Sequence, residues 1–271
     1  MVVGFGGYVS AAGVAAARLA GLPTVVHEQN LLPGRANRWL ARLASAVAVS
    51  FPETKGYLSS RSRVEVTGNL VRPHLGKVDF QQARRAFEFD LERPALLVMG
   101  GSQGSQAINT VSARMWEDQP AKIRRKVQLI HLAGSSAEAS SLEETYRRLD
   151  LTARVFPYLH EIHHALAAAT LAVSRAGATA IAEMVALRLP AVLIPYPHAG
   201  GHQRANARWM EAVGGAAVLE EDGLTPQRLW DQVSGLLWAP ERLGPMREAL
   251  RLREDRSAVD RLSSLVRRVA A

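Results

Sequence analysis

Apolar residues in this chain come in short runs, separated by segments with helical spacing, and the alternation repeats along its length. Thr24–His27, Ala46–Ser50, Val64–Val66, Pro94–Met99, Val127–Leu132, Ala153–Phe156, Leu171–Ser174 and Ala191–Pro195 are largely apolar runs of strand length. Runs of that kind suit strands buried on both faces, as in parallel sheets covered by helices. Between them, Ala11–Ala20, Asn37–Leu43, Gln81–Phe89, Glu138–Leu149 and Ala178–Arg188 carry helical periodicity. The alternation predicts an α/β chain with doubly wound parallel sheets. His74–Phe80 reads as a linker, which divides the chain into 1–75 and 76–255, with a helical segment at 256–271 free to return to the first part.

Two glycine loops follow strands. Gly4-Phe-Gly-Gly-Tyr-Val-Ser10 follows the short stub Met1–Phe5, and Gly100-Gly-Ser-Gln-Gly104 follows the complete strand ending at Met99. A glycine loop leading into a helix is an anion cradle, because the first helical N–H groups are unpaired and lie at the positive end of the helix dipole. Ser102 adds a hydroxyl donor to the second loop.

The segment Leu171–Ala207 organises the rest. A strand ends at Ser174, Arg175-Ala-Gly177 turns, and a helix begins at Ala178 with its amino end facing back toward the turn. Gly177 is expected where the chain turns sharply and something approaches the backbone. Glu183 lies one and a half turns into the helix, within reach of a ribose diol. Gln203 and Asn206 are three apart and share a helical face. Amides there can both donate to and accept from sugar hydroxyls. Earlier, Thr24–His27 delivers His27-Glu-Gln-Asn30 at a strand's carboxyl end, and Arg72 emerges just before Pro73, able to pair bidentately with phosphate.

Composition narrows the choices. The chain has 271 residues, 48% of them hydrophobic, enough for one large or two modest α/β domains. Without cysteine it has no disulfide, thiolate metal site or thiol nucleophile. A net charge of +8 points to anionic partners. The basic residues are scattered, nearly all arginine, and without interleaved aromatics, so nucleic acid is not the expected partner. No apolar run has spanning length.

His160-Glu-Ile-His-His164 matches a zinc-peptidase pattern, with His160 and His164 as ligands, Glu161 as base and Glu183 at the spacing of a third ligand. The match starts directly after Pro157-Tyr-Leu, and a strand separates it from Glu183. This is a remote alternative, and no metal or cofactor is expected.

Six segments in order, GFGGYVS, HEQN followed by Gly34–Asn37, GNLVRP, GGSQGSQAIN, SRAGATAIAE and HQRANA, resemble the MurG-type peptidoglycan N-acetylglucosaminyltransferases across residues 4–207. The resemblance implies the GT-B arrangement of two Rossmann-like domains and inverting transfer of GlcNAc from UDP-GlcNAc. The acceptor it implies is the muramyl 4-hydroxyl of an undecaprenyl-diphosphate-linked muramoyl-pentapeptide. For the donor it implies Asn30, Arg72, Ser102, Leu159 (backbone to uracil), Ala178, Thr179, Ala180, Ile181, Ala182, Glu183 (ribose), Gln203 and Asn206. For the acceptor diphosphate it implies Gly6, Gly7, Tyr8 and Ser10. It also implies a peripheral protein on the anionic cytoplasmic face of the bacterial inner membrane. Family members carry a strand and a Gly-Gly-Thr-Gly-Gly-His loop before the GFGGYVS segment, where catalytic residues are expected. The reading is therefore a first domain that is incomplete, with a non-catalytic UDP-GlcNAc-binding remnant as the alternative. His202 and Gly200-Gly201 also depart from the family pattern.

Overall fold

The structure is a computed structural model and describes every residue except Pro73, His74, Gly76, Lys77, Ser102, Glu254 and Arg256, with Tyr8 described by its backbone alone. Part of the expected linker, the expected boundary at 256, and Ser102 therefore lie outside the described residues.

Ten strands form two parallel sheets among these residues: β1 (Val2–Gly4), β2 (Thr24–Glu28), β3 (Ala46–Val49), β4 (Val64–Val66), β5 (Ala95–Met99), β6 (Gln128–Leu132), β7 (Thr152–Phe156), β8 (Leu171–Ser174), β9 (Ala191–Leu193) and β10 (Ala216–Val218). The first sheet runs β1-β2-β3-β4, and the second β10-β9-β8-β5-β6-β7, every neighbour pair parallel. The helices are α1 (Gly7–Leu19), α2 (Arg35–Leu40), α3 (Phe80–Ala86), α4 (Gln106–Arg114), α5 (Ala121–Arg124), α6 (Ser136–Arg148), α7 (Ile162–Ala168), α8 (Ala178–Ala186), α9 (His202–Ala212), α10 (Pro226–Leu237), α11 (Pro240–Arg251) and α12 (Ala258–Ala270).

β5 and β8 sit side by side at the centre of the second sheet, with chain progression running outward from them in both directions. That reversal of strand order opens a crevice at their carboxyl ends, where doubly wound folds bind ligands. β2, β3, β5, β6 and β8 are buried along their whole length. Leu97, Ile130, Ala172 and Leu193 pack on one face of the second sheet, and Leu96, Val98, Leu129, Val173 and Val192 on the other.

α12 lies on the first sheet. Its Leu262 and Leu265 cluster with Val25, Ala46 and Ala48, Arg261 donates to the Thr67 carbonyl, and Arg268 pairs with Glu65.

Four helix starts differ from the sequence reading. α3 begins one residue early at Phe80, after its Asp79 N-cap, and α6 two residues early at Ser136, after its Ser135 N-cap. α1 begins at Gly7 rather than Ala11, because the positive-φ pair Gly6 (φ +94) and Gly7 (φ +79) turns the chain straight into the helix. α2 begins at Arg35 rather than Asn37, since Gly34, extended at φ −61 and ψ 152, serves as its N-cap.

Candidate functional site

A cleft of about 1030 Å³ opens at the carboxyl ends of β5 and β8 and reaches the first sheet's loops through Gln29, Asn30 and Arg72. Its floor is the second glycine loop. Gly104 (φ +72) packs so tightly on the loop after β6 that an added Cβ would lie 2.3 Å from the Ala133 carbonyl oxygen. Gly177 behaves differently. It takes an ordinary φ of −65 and ψ of 142 as N-cap of α8, and an added Cβ would meet nothing within 4 Å. The sharp turn expected there does not require glycine; what its missing side chain leaves is room on the cleft side.

α8 has no side-chain cap, so its first N–H groups have no side-chain acceptor. Ala178, Thr179 and Ala180 line the cleft. Ile181, 1% exposed, faces the apolar core instead, and Ala182 does not line the cleft, because the helix turns those positions away. Glu183 returns to the cleft one turn later, nearly buried, with its Oε1 lacking a hydrogen bond and Arg72 Nε at 3.7 Å. Burial pushes the Glu183 carboxyl above its usual range, and Arg72 partly opposes the shift. Leu159 lines the cleft beside Tyr158 in the loop after β7.

The two amides of α9 do different things. Gln203 lines the cleft and uses Oε1 to accept from the N–H groups of Ala176 (3.2 Å) and Tyr196 (3.0 Å), leaving its NH₂ to offer. Asn206 is 0% exposed and, unlike Gln203, is engaged within the protein through both amide atoms. Its Oδ1 accepts from Leu31 N–H (3.0 Å), and its Nδ2 donates to Asn30 Oδ1 (3.0 Å) and the Ala176 carbonyl (3.2 Å). The bonds to Leu31 and Asn30 join the two sheets' loops, and the bond to Ala176 ties α9 to the turn after β8. His202 adds a bond from Nδ1 to the Leu32 carbonyl (2.7 Å), and Asn69 donates to the Ala178 carbonyl (3.0 Å).

Asn30 is held in turn by Glu28, 2% exposed, which accepts from Asn30 N (2.9 Å), Asn30 Nδ2 (3.1 Å), Gly34 N (3.0 Å) and Asn37 Nδ2 (2.8 Å). His27 is buried and donates from Nε2 to the Gly68 carbonyl (3.1 Å) while Nδ1 accepts from Gln29 (3.1 Å). That burial lowers its pKa, against the opposing effects of the Gly68 carbonyl and Glu28. In the first glycine loop, the Ser10 hydroxyl accepts from Gly6 N–H (3.3 Å), and Gly6 and Gly7 sit at the start of α1.

Sequence reasoning passed over Arg175 as part of a turn. Its guanidinium bonds Ser105 Oγ (2.7 Å) and the Ile194 carbonyl (3.1 Å), pairs with Glu221, and lies 5.3 Å from the Tyr196 ring centre. The available signal was an arginine placed directly after a short, mostly apolar strand.

The zinc reading fails on geometry. α7 starts at Ile162, so His160 and His164 do not share a helical face, and His160 packs edge-on to Tyr158 with ring centres 4.8 Å apart. Among the described residues the ligand-type side chains that come together are Glu161, His163 and His164, within 4.8 Å, without His160 or Glu183.

Two parallel-sheet units facing across a cleft, with an uncapped helix amino end, a buried carboxylate and an arginine at its mouth, define the GT-B class of glycosyltransferase. The chain belongs to glycosyltransferase family 28, in its MurG-type branch. Residues 95–262 match the family's C-terminal domain and residues 1–49 its N-terminal domain. The UDP-N-acetylglucosamine–N-acetylmuramyl-(pentapeptide) pyrophosphoryl-undecaprenol N-acetylglucosamine transferase of Caldanaerobacter subterraneus is 34% identical over 99% of this chain and 74% of its own length. The enzyme of the same name from Desulforudis audaxviator is 38% identical over 100% of this chain and 74% of its own. Among solved structures, Acinetobacter baumannii MurG superposes with a TM-score of 0.78 at 27% identity, over 98% of this chain and 74% of that one. The chain thus spans about three quarters of these relatives' length.

Proposed function

We propose that this chain transfers GlcNAc from UDP-GlcNAc to the undecaprenyl-diphosphate-linked muramoyl-pentapeptide, the step that completes the lipid-linked disaccharide of peptidoglycan. Membership of the family and the names of its relatives support the reaction. The observation that carries the donor site is Glu183, a buried carboxylate with an unused acceptor oxygen beside the uncapped start of α8. In this reading Glu183 accepts from the ribose diol, and the Leu159 backbone reads uracil. The NH₂ of Gln203 meets a GlcNAc hydroxyl. Asn206 acts at one remove, fixing Asn30 at the cleft wall.

The chemistry follows from those positions. The acceptor 4-hydroxyl attacks the anomeric carbon from the face opposite UDP, giving up its proton to a general base, so the C–O bond to UDP breaks as the new β-bond forms. Negative charge then gathers on the leaving diphosphate. The N–H groups of Ala178, Thr179 and Ala180, with Arg72, are already oriented to receive it, so stabilisation needs little reorganisation. Ser102 and the first glycine loop (Gly6, Gly7, Tyr8, Ser10) are assigned to the donor and acceptor diphosphates respectively.

We further propose a peripheral seat on the anionic cytoplasmic face of the plasma membrane. Val9 and Leu19 of α1 are 89% and 91% exposed and Trp39 of α2 is 52% exposed, while Arg35 and Arg38 of α2 and Arg42 just after it are exposed as well. Apolar side chains ringed by arginine suit an anionic interface. Among the described residues no helix is long and apolar enough to cross a membrane.

The test is calorimetry of UDP-GlcNAc binding by the full chain, followed by product formation from the lipid-linked acceptor. Saturable binding lost in Glu183→Ala, with disaccharide product, is expected. A folded chain that binds no UDP-GlcNAc overturns the assignment.

A further inference from the structure

At the opposite end of the second sheet, where β5 and β8 begin, lies a second cavity of about 810 Å³, walled by α3, α11 and the chain leading into β9. Arg84, Arg93, Arg188, Arg247 and Arg251 line it against two carboxylates, Glu92 and Glu248. Glu248 is already engaged by Arg251 through two bonds, of 2.6 and 2.7 Å.

Arg84 is 1% exposed, yet its partners are neutral. It donates from Nε to the Ala168 carbonyl (2.6 Å), from Nη1 to the carbonyls of Asp90 (2.8 Å) and Arg93 (2.6 Å), and from Nη2 to Thr170 Oγ1 (3.1 Å). A guanidinium has five N–H donors, so one on Nη2 is left over. Among the described residues no carboxylate forms an ion pair with Arg84; burial lowers its pKa to about 10, outweighing the opposing charge of Asp90 beyond ion-pair distance. Arg247 at the rim also has no carboxylate partner among the described residues, only a long contact of 3.5 Å to the Thr170 carbonyl. Beside these charges are Phe80, whose ring centre is 4.9 Å from the Arg84 guanidinium, and Leu243 and Trp238.

We propose that this cavity binds an organic phosphate, its anionic group between Arg247 and the remaining Nη2–H of Arg84 and its apolar body against Phe80 and Trp238. Two guanidinium groups outside any ion pair among the described residues suit a dianion, and guanidinium matches phosphate geometry. The volume is that of a small-molecule site. The cavity lies at the strands' amino ends, away from the donor cleft, so the inference does not depend on what that cleft holds.

The experiment titrates the full chain with 1-naphthyl phosphate, followed by its fluorescence, with and without excess UDP. One saturable site is expected, not displaced by UDP, weakened tenfold or more in Arg247→Glu, and at least tenfold weaker for uncharged 1-naphthol. Arg247 is exposed, so the variant keeps its fold, which circular dichroism checks. Absence of saturable binding overturns the proposal, as does displacement by UDP, equal affinity for 1-naphthol, or an unchanged constant in Arg247→Glu.

Discussion

Asn30 and Asn206, 176 residues apart in sequence, share a 3.0 Å amide–amide hydrogen bond across the floor between the two sheets' loops. One belongs to the loop fixed by Glu28, the other to a helix of the second unit. The bond makes the cleft wall a joint product of both units. Replacing Asn206 with alanine would leave the Leu31 N–H and the Ala176 carbonyl without that partner. We expect a loss of about 1–3 kcal/mol in stability, read from urea unfolding, because stranded buried polar groups cost about that much.

Glu183→Gln should fold normally and bind UDP-GlcNAc at least tenfold more weakly, since the amide replaces one acceptor oxygen with a donor. In the unsubstituted chain, donor affinity should fall with acidification from a higher pH than an ordinary glutamate would give, because burial raises the Glu183 pKa. Calorimetry across pH 4.5–8 checks both, and the glutamine variant should flatten that profile.

Gly177→Ala should leave stability within about 0.5 kcal/mol, as expected where backbone conformation and space both tolerate a methyl group. It should nevertheless weaken UDP-GlcNAc binding, since the methyl group occupies the cleft side of the α8 amino end. Parallel thermal unfolding and binding measurements separate the two effects.

His131 should make stability fall with acidification. It donates from Nε2 to Asn109 Oδ1 (3.1 Å) and accepts at Nδ1 from the Tyr146 hydroxyl (2.6 Å), wholly buried, with its pKa lowered to about 3. The unfolded chain binds this proton below the ordinary histidine value of 6.5, and the folded chain does not until about 3. Its contribution is complete above pH 6.5 and drains away as pH falls toward 3, at up to about 1.4 kcal/mol per pH unit. His27 acts in the same direction. Urea midpoints at pH 7.5 and 5 test this, and His131→Gln should shrink the difference between them.

Much of the fold is written in local pattern. Leu171–Ser174 forms a strand at the expected residues because a short apolar run followed by a polar turn leaves few alternatives, and β4 agrees at Val64–Val66 for the same reason. The start of α1 was not legible, because two consecutive glycines in sequence do not reveal that positive φ carries the chain directly into a helix. The position of Glu183 at the cleft was legible because it depends on local spacing along α8 alone. The engagement of Asn206 with Leu31 and Asn30, and of Arg175 with Ser105 70 residues away, depends on packing between distant segments that periodicity does not encode.

α12 sets an order of events in biosynthesis. Leu262 and Leu265 cover Val25, Ala46 and Ala48, so one face of the first sheet stays wet until α12 has left the ribosome. The first sheet thus waits for a helix that follows the whole second unit, whose sheet spans residues 95–218 and can close before it. A ribosome that stalls or stops after residue 252 would release a chain with a sound second unit and a first sheet open to association with chaperones or other nascent chains.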